Sequence, residues 1–92
     1  MTNIARTIDE LKEKGLWIAG ADAGGEMDYR NFDGTLPVAL IIGSEGKGIS
    51  RLHKEKCDFL LKLPMKGHVT SLNASVAAAI LMYEIYRKRF PV

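Results

Sequence analysis

Five apolar residues in a row, Val38-Ala39-Leu40-Ile41-Ile42, stand between Pro37 and Gly43. A short apolar run without alternation reads as a strand covered on both faces, as in a parallel sheet with helices packed on either side. The flanking segments agree. Residues 3–14 read as a helix, with Ile4, Ile8 and Leu11 on one face, Thr2 or Asn3 as cap and Gly15 as the stop. Residues 16–19 read as a short buried strand. Residues 21–36, rich in Gly, Asp and Asn, read as a loop anchored by Tyr29 and Phe32.

Beyond Gly43 the pattern continues with a short basic helix at 49–56, a strand at 58–63 ended by Pro64, and a loop at 65–70. A long helix follows at 71–89, with Leu72, Val76, Ile80 and Tyr83 as its expected core stripe and Arg87, Lys88 and Arg89 favouring its C-terminal dipole. Strands alternating with helices define an α/β domain with a parallel sheet. Three strands make a thin sheet, which points to further strands elsewhere.

Composition excludes several classes. With 47% hydrophobic and 26% charged residues, the 92-residue chain has the makeup of one globular domain. Its longest apolar run, residues 76–82, is too short to span a membrane, for which about 18 residues are needed. The single Cys57 leaves no internal disulfide and no cysteine-based zinc site. With no apolar signal region at the N-terminus, a cytoplasmic location is expected. His53 and His68 lack partners at metal spacing, so no metal is expected, and Cys57 reads as a structural thiol. Charge is unevenly placed: residues 1–46 carry −4 and residues 47–92 carry +6. Such a split suits an anionic partner for the second half.

Two segments carry chemistry. The first, Ile41-Ile-Gly-Ser-Glu-Gly-Lys-Gly-Ile-Ser-Arg51, runs from a strand through three glycines into a helix. Glycines let backbone approach a ligand and present N–H groups to it. The spacing matches neither the P-loop nor the G-x-G-x-x-G fingerprint, and on its own it is equally that of a glycine turn without a ligand. The second, Leu63-Pro-Met-Lys-Gly-His-Val-Thr-Ser-Leu-Asn-Ala-Ser75, also leaves a strand and enters a helix, with Ser71 as N-cap. Ligands in open α/β sheets lie outside the carboxyl ends of the strands, so both loops are expected to line one pocket.

Together these segments closely resemble the second and third motifs of the SpoU (TrmH-like) RNA ribose methyltransferases, over a match running from about residue 3 to residue 89. Within the family the chain is most similar to bacterial enzymes that methylate a guanosine 2′-hydroxyl of large-subunit ribosomal RNA. The resemblance implies an α/β fold of SPOUT type, with helices on both faces of the sheet and a C-terminal deep trefoil knot over about residues 38–89. Knots are otherwise rare in protein chains. It implies S-adenosyl-L-methionine as cofactor, held by Ile42, Gly43, Ser44, Gly46, Gly48, Leu63, Pro64, Met65, Ser71 and Leu72. Asn73, Ser71 and Glu45 match the family's active-site polar residues. A homodimer is also implied, with Leu81, Met82 and Ile85 of the last helix available for packing.

Lys47, Arg51, Lys54, Lys66 and Arg87 are the candidate RNA phosphate contacts. The family's first motif, which carries an Asn and an Arg, finds no counterpart in these residues. Residues 1–92 are therefore expected to be the C-terminal, cofactor-binding portion of the methyltransferase domain, inactive alone and lacking its first strands. The alternative is a non-catalytic RNA- or cofactor-binding module of the same fold.

Overall fold

Among the described residues, the strands β1 to β4 named below pair in parallel. The computed structural model describes residues 3–43, 48–64 and 74–91. In chain order it contains α1 (Ile4–Glu13), β1 (Trp17–Ala21), β2 (Met27–Asp28), a 3-10 turn (Tyr29–Asn31), β3 (Val38–Ile42), α2 (Arg51–Lys56), β4 (Phe59–Lys62) and α3 (Ala74–Arg89). The sheet order is β2-β4-β1-β3, so the described sheet has four strands rather than three. The addition is β2, two residues inside the expected loop at 21–36, which pair Met27 with Leu61 and Asp28 with Lys62.

Local chemistry sets the element ends. Asn3 caps α1 by accepting from the Arg6 N–H at 3.1 Å, and Gly15 follows the helix at φ +90°. Ser50 caps α2, its Oγ accepting from the His53 N–H at 3.3 Å. Asp58 sits just before β4 and fastens it to β1: its Oδ2 accepts from the Ile18 N–H and its own N–H donates to the Ile18 carbonyl, both at 2.8 Å.

Alternation along the strands sorts the side chains onto two faces. On one face Ala19, Phe32, Leu61 and Leu81 form the buried cluster, and Val38, Leu40, Ile42, Phe59, Leu63 and Ile85 pack around it beneath α3. Ile18 and Gly20 point to the other face, where Ile49 and Cys57 pack over Gly20 and where α1 buries Ile8. Helices thus cover both faces. Tyr29 and Phe32 do anchor the long loop to this core.

Three expectations are corrected. Trp17 is 44% exposed, so the first strand is sealed only from Ile18 onward and runs to Ala21. The apolar run β3 is half-buried throughout rather than covered on both faces, because among the described residues it pairs only with β1. The third concerns α3. Val76 and Tyr83, placed in the expected core stripe, are 45% and 68% exposed, whereas Ala77 and Leu81 face the sheet and Ile85 packs beside them. Leu81 and Ile85 are therefore core residues and are not available for an interface, while Met82 is exposed. The residues expected to extend this helix, 71–73, lie outside the described residues, and the path of a knot would involve them too.

The last turn of α3 does more than complement a dipole. Arg89 donates to the carbonyls of Gly34 and Leu36, and Lys88 to that of Arg30, which ties the helix to the loop before β3. In that loop Asp28 holds Arg30 through its backbone N–H and its guanidinium, at 2.7–3.0 Å. The side-chain hydrogen bond from Arg30 lowers the Asp28 carboxyl from 3.8 to about 2. A depressed carboxyl contributes stability that is present above its unfolded value and lost as pH falls through the folded one. The Asp28 contribution is expected to be complete above about pH 4 and to disappear as pH falls towards 2. In Arg30→Met the Asp28 carboxyl is expected to titrate closer to 3.8, which NMR of the carboxyl carbon reads directly.

Candidate functional site

Parallel register puts three strand ends level at one edge of the sheet. Ala21 pairs with Ile42 on one side and with Leu61 on the other. The residues that leave the sheet, Gly43 after β3, Asp22 after β1 and Lys62-Leu63-Pro64 at the end of β4, therefore emerge side by side. The two glycine- and proline-bearing segments open on the same edge, as the strand order requires.

Gly43 and Gly48 close on each other. A Cβ added to Gly43 would strike the carbonyl carbon and oxygen of Gly48 and the backbone nitrogen of Ile49, so only glycine permits this approach. Gly48 has φ +69°, the left-handed conformation. The chain then drives Ile49, 4% exposed, onto the bare face of Gly20. A Cβ at Gly20 would lie 2.8 Å from Ile49 Cδ1 and 2.9 Å from Cys57 Sγ, so this strand glycine is the seat of a plug.

Helix α2 begins two residues after Ile49 and is held by ion pairs on either side. Lys56 Nζ lies 2.9 Å from Asp9 of α1, and Lys54 Nζ lies 3.3 Å from Asp22 Oδ1 at the end of β1. Cys57 donates to the His53 carbonyl at 3.3 Å, and burial pushes its thiol pKa up, against thiolate formation. Among the described residues no group of three or more His, Cys, Asp and Glu could hold a metal ion.

The described part of the predicted site is Ile42, Gly43, Gly48, Leu63 and Pro64, all at this edge. Ser44, Glu45, Gly46, Lys47, Met65, Lys66, Ser71, Leu72 and Asn73 lie outside the described residues, as does His68. Of the candidate phosphate contacts, Arg51 has its side chain 93% exposed and pairs with Glu55 at 3.4 Å. Arg87 pairs with Glu84, whose carboxyl it lowers, and stands on α3. Lys54 is engaged by Asp22. Sequence reading passed over Gly20, Asp22 and Ile49. A glycine inside an apolar strand was the available signal for the first.

A parallel sheet with helices on both faces, and two glycines meeting at the carboxyl end of a strand, define the class: an open α/β domain, in which ligands are commonly held at the strand ends. The pattern of the SpoU rRNA Methylase family matches residues 1–83, and the chain belongs to that family. It is 67% identical over all 92 residues to YacO of Bacillus subtilis (strain 168), which is assigned to the TrmH family of tRNA/rRNA methyltransferases. Among solved structures it is similar to the SpoU methyltransferase AviRb from Streptomyces viridochromogenes in complex with AdoMet, at TM-score 0.89 and 32% identity. That match covers 98% of this chain and 38% of AviRb. It is equally similar to the TrmH/SpoU tRNA modifying enzyme of A. aeolicus, at TM-score 0.89 and 34% identity over 97% of this chain and 46% of that one. The chain spans 37% of the length of the curated relatives it matches. Among the described residues no helix is long and apolar enough to cross a membrane.

Proposed function

We propose that these residues are the cofactor-binding part of an S-adenosylmethionine-dependent enzyme that methylates a ribose 2′-hydroxyl of RNA, with a guanosine of ribosomal RNA as target. The observation that supports this most is the backbone contact between Gly43 and Gly48 at the carboxyl edge of the sheet, in a chain of the SpoU family. AviRb, whose structure this chain resembles, was crystallised with that cofactor.

The described residues fit such a ligand. Gly43 and Gly48 place no side chain between a ligand and their own main chain, and Leu63 and Pro64 follow β4 at the same edge of the sheet. When bound, S-adenosylmethionine supplies an electrophilic methyl on a sulfonium. Ile42, Gly43 and Gly48, with Ser44, Gly46, Met65, Ser71 and Leu72, would hold the adenosine and so keep that methyl in one place, which is the larger part of what a transfer of this kind needs. Asn73, Ser71 and Glu45 would orient the ribose hydroxyl.

A ribose hydroxyl is a weak nucleophile at its own pKa and needs help to lose its proton. The family's Asn and Arg motif has no match in these 92 residues, so the isolated chain would bind cofactor without transferring methyl. We place the trefoil knot over about residues 38–89 and the enzyme in the cytoplasm. A homodimer is supported by the outward side of α3, where Val76, Met82, Tyr83 and Tyr86, with Phe90 just past the helix, are all exposed although the helix is apolar on its inner side as well. Lys47, Arg51, Lys54, Lys66 and Arg87 are the candidate contacts to RNA phosphates; of these Arg51, Lys54 and Arg87 also pair with carboxylates of this chain.

Titration calorimetry with S-adenosylmethionine, paired with a labelled-methyl assay on ribosomal RNA, tests this reading. The folded chain is expected to bind one equivalent and transfer nothing. Absence of binding would sink the pocket assignment, and transfer by the chain alone would sink its proposed dependence on further residues. Binding without turnover, once the chain is joined to the N-terminal part of a longer relative, would make it a non-catalytic module instead.

A further inference from the structure

Gly48 is separated from α2 by only Ile49 and Ser50, so whatever fixes α2 and Ile49 also fixes Gly48. The end of β1 does both. Gly20 receives Ile49, and two residues further along the same strand direction Asp22 receives Lys54. The Asp22 side chain is only 15% exposed, and its Oδ1 lies 3.8 Å from where a Cβ on Gly48 would stand. Its backbone is itself fixed: the Asp22 N–H donates to the Leu61 carbonyl and its carbonyl accepts from the Gly25 N–H, both at 2.9 Å. The carboxylate is thus mounted on rigid chain, beside the closing glycine and against the one cation that reaches it from α2. Another ion pair leading out of this helix, Lys56 with Asp9, runs to α1 and does not reach the sheet edge.

We propose that Asp22 is a positioning residue: through Lys54 it fixes the Gly48 end of the glycine-closed segment and thereby sets the affinity for S-adenosylmethionine. This rests on the cofactor reading given above. Asp22 touches no reacting atom in this scheme, and Lys54 acts on the pocket through its pair with Asp22.

The test uses Asp22→Asn, Lys54→Met and the conservative Lys54→Arg, with Asp9→Asn as the matched loss of an ion pair on the same helix. Two quantities are read on each: amide hydrogen exchange at Gly48 and Ile49, and S-adenosylmethionine affinity by calorimetry. Asp22→Asn and Lys54→Met are expected to speed exchange at those two amides and to weaken binding by about tenfold, the scale of a charge-assisted contact discounted for partial exposure. Lys54→Arg should restore both, and Asp9→Asn should change neither. If Asp22→Asn and Lys54→Met leave exchange at Gly48 and Ile49 as it is in Asp9→Asn, or if Lys54→Arg behaves as Lys54→Met does, the proposal is overturned. A wild-type chain that binds no cofactor sinks the affinity half together with the cofactor reading, while the exchange data still decide whether Asp22 holds Gly48.

Discussion

Gly43→Ala is expected to lower the affinity for S-adenosylmethionine by at least about a hundredfold, equivalent to about 2.7 kcal/mol. The new methyl would occupy the space of the Gly48 carbonyl group, and backbone cannot rotate away as a side chain can. Separating the two would move Gly48 and draw Ile49 off Gly20, so the plug would be lost with the contact. Overpacking of this kind costs about 1–3 kcal/mol in stability before any ligand is added. Gly48→Ala offers the contrast. A Cβ there meets nothing closer than Asp22 Oδ1 at 3.8 Å, and the cost is that of a left-handed φ, about 1–2 kcal/mol. Calorimetry beside urea unfolding separates binding from stability, and wild-type affinity in a folded Gly43→Ala chain would show that the backbone contact is not what forms the pocket.

The second large effect is expected on α3. Leu81, 2% exposed, joins Ala19, Phe32 and Leu61 in the buried cluster, so Leu81→Ala should cost about 2–5 kcal/mol. A domain of this size has a total stability of only about 5–14 kcal/mol, so the variant is expected to lose a large share of it in urea unfolding. Tyr83→Ala, two positions along but 68% exposed, should leave the monomer within about 0.5 kcal/mol. Its effect should appear instead in sedimentation, as weaker self-association. The reverse order of stabilities would show that the faces of α3 are assigned the wrong way round.

That assignment marks the boundary of what could be read from the sequence. The ends of α1, the strand β3 and the glycine turn were legible because each is announced locally, by a cap, an unbroken apolar run or a residue without a side chain. The face of α3 was not. The helix carries Ala77, Leu81 and Ile85 on one side and Val76, Ile80 and Tyr83 on another, so apolar spacing alone does not choose a phase. The structure chooses the side of Ala77 and Leu81, which are buried against the sheet. β2 left no pattern because two residues cannot show a period. The site divides in the same manner: Gly43 and Gly48 stand out in a short motif, whereas Asp22 and Lys54 meet across chain folds and have no spacing to betray them.

The parallel pairing of the described strands has a kinetic consequence. Trp17 pairs with Val38, Ala19 with Phe59 and Met27 with Leu61, so none of the described strands, β1 to β4, finds its partner through a hairpin. Each pairing has to wait for a long stretch of chain to close, and the loop entropy is lost before any ladder bond forms. Among the described elements, the helices are the ones that can form from neighbours alone. Folding should therefore be slow for so small a chain, with its apolar strands exposed during the wait.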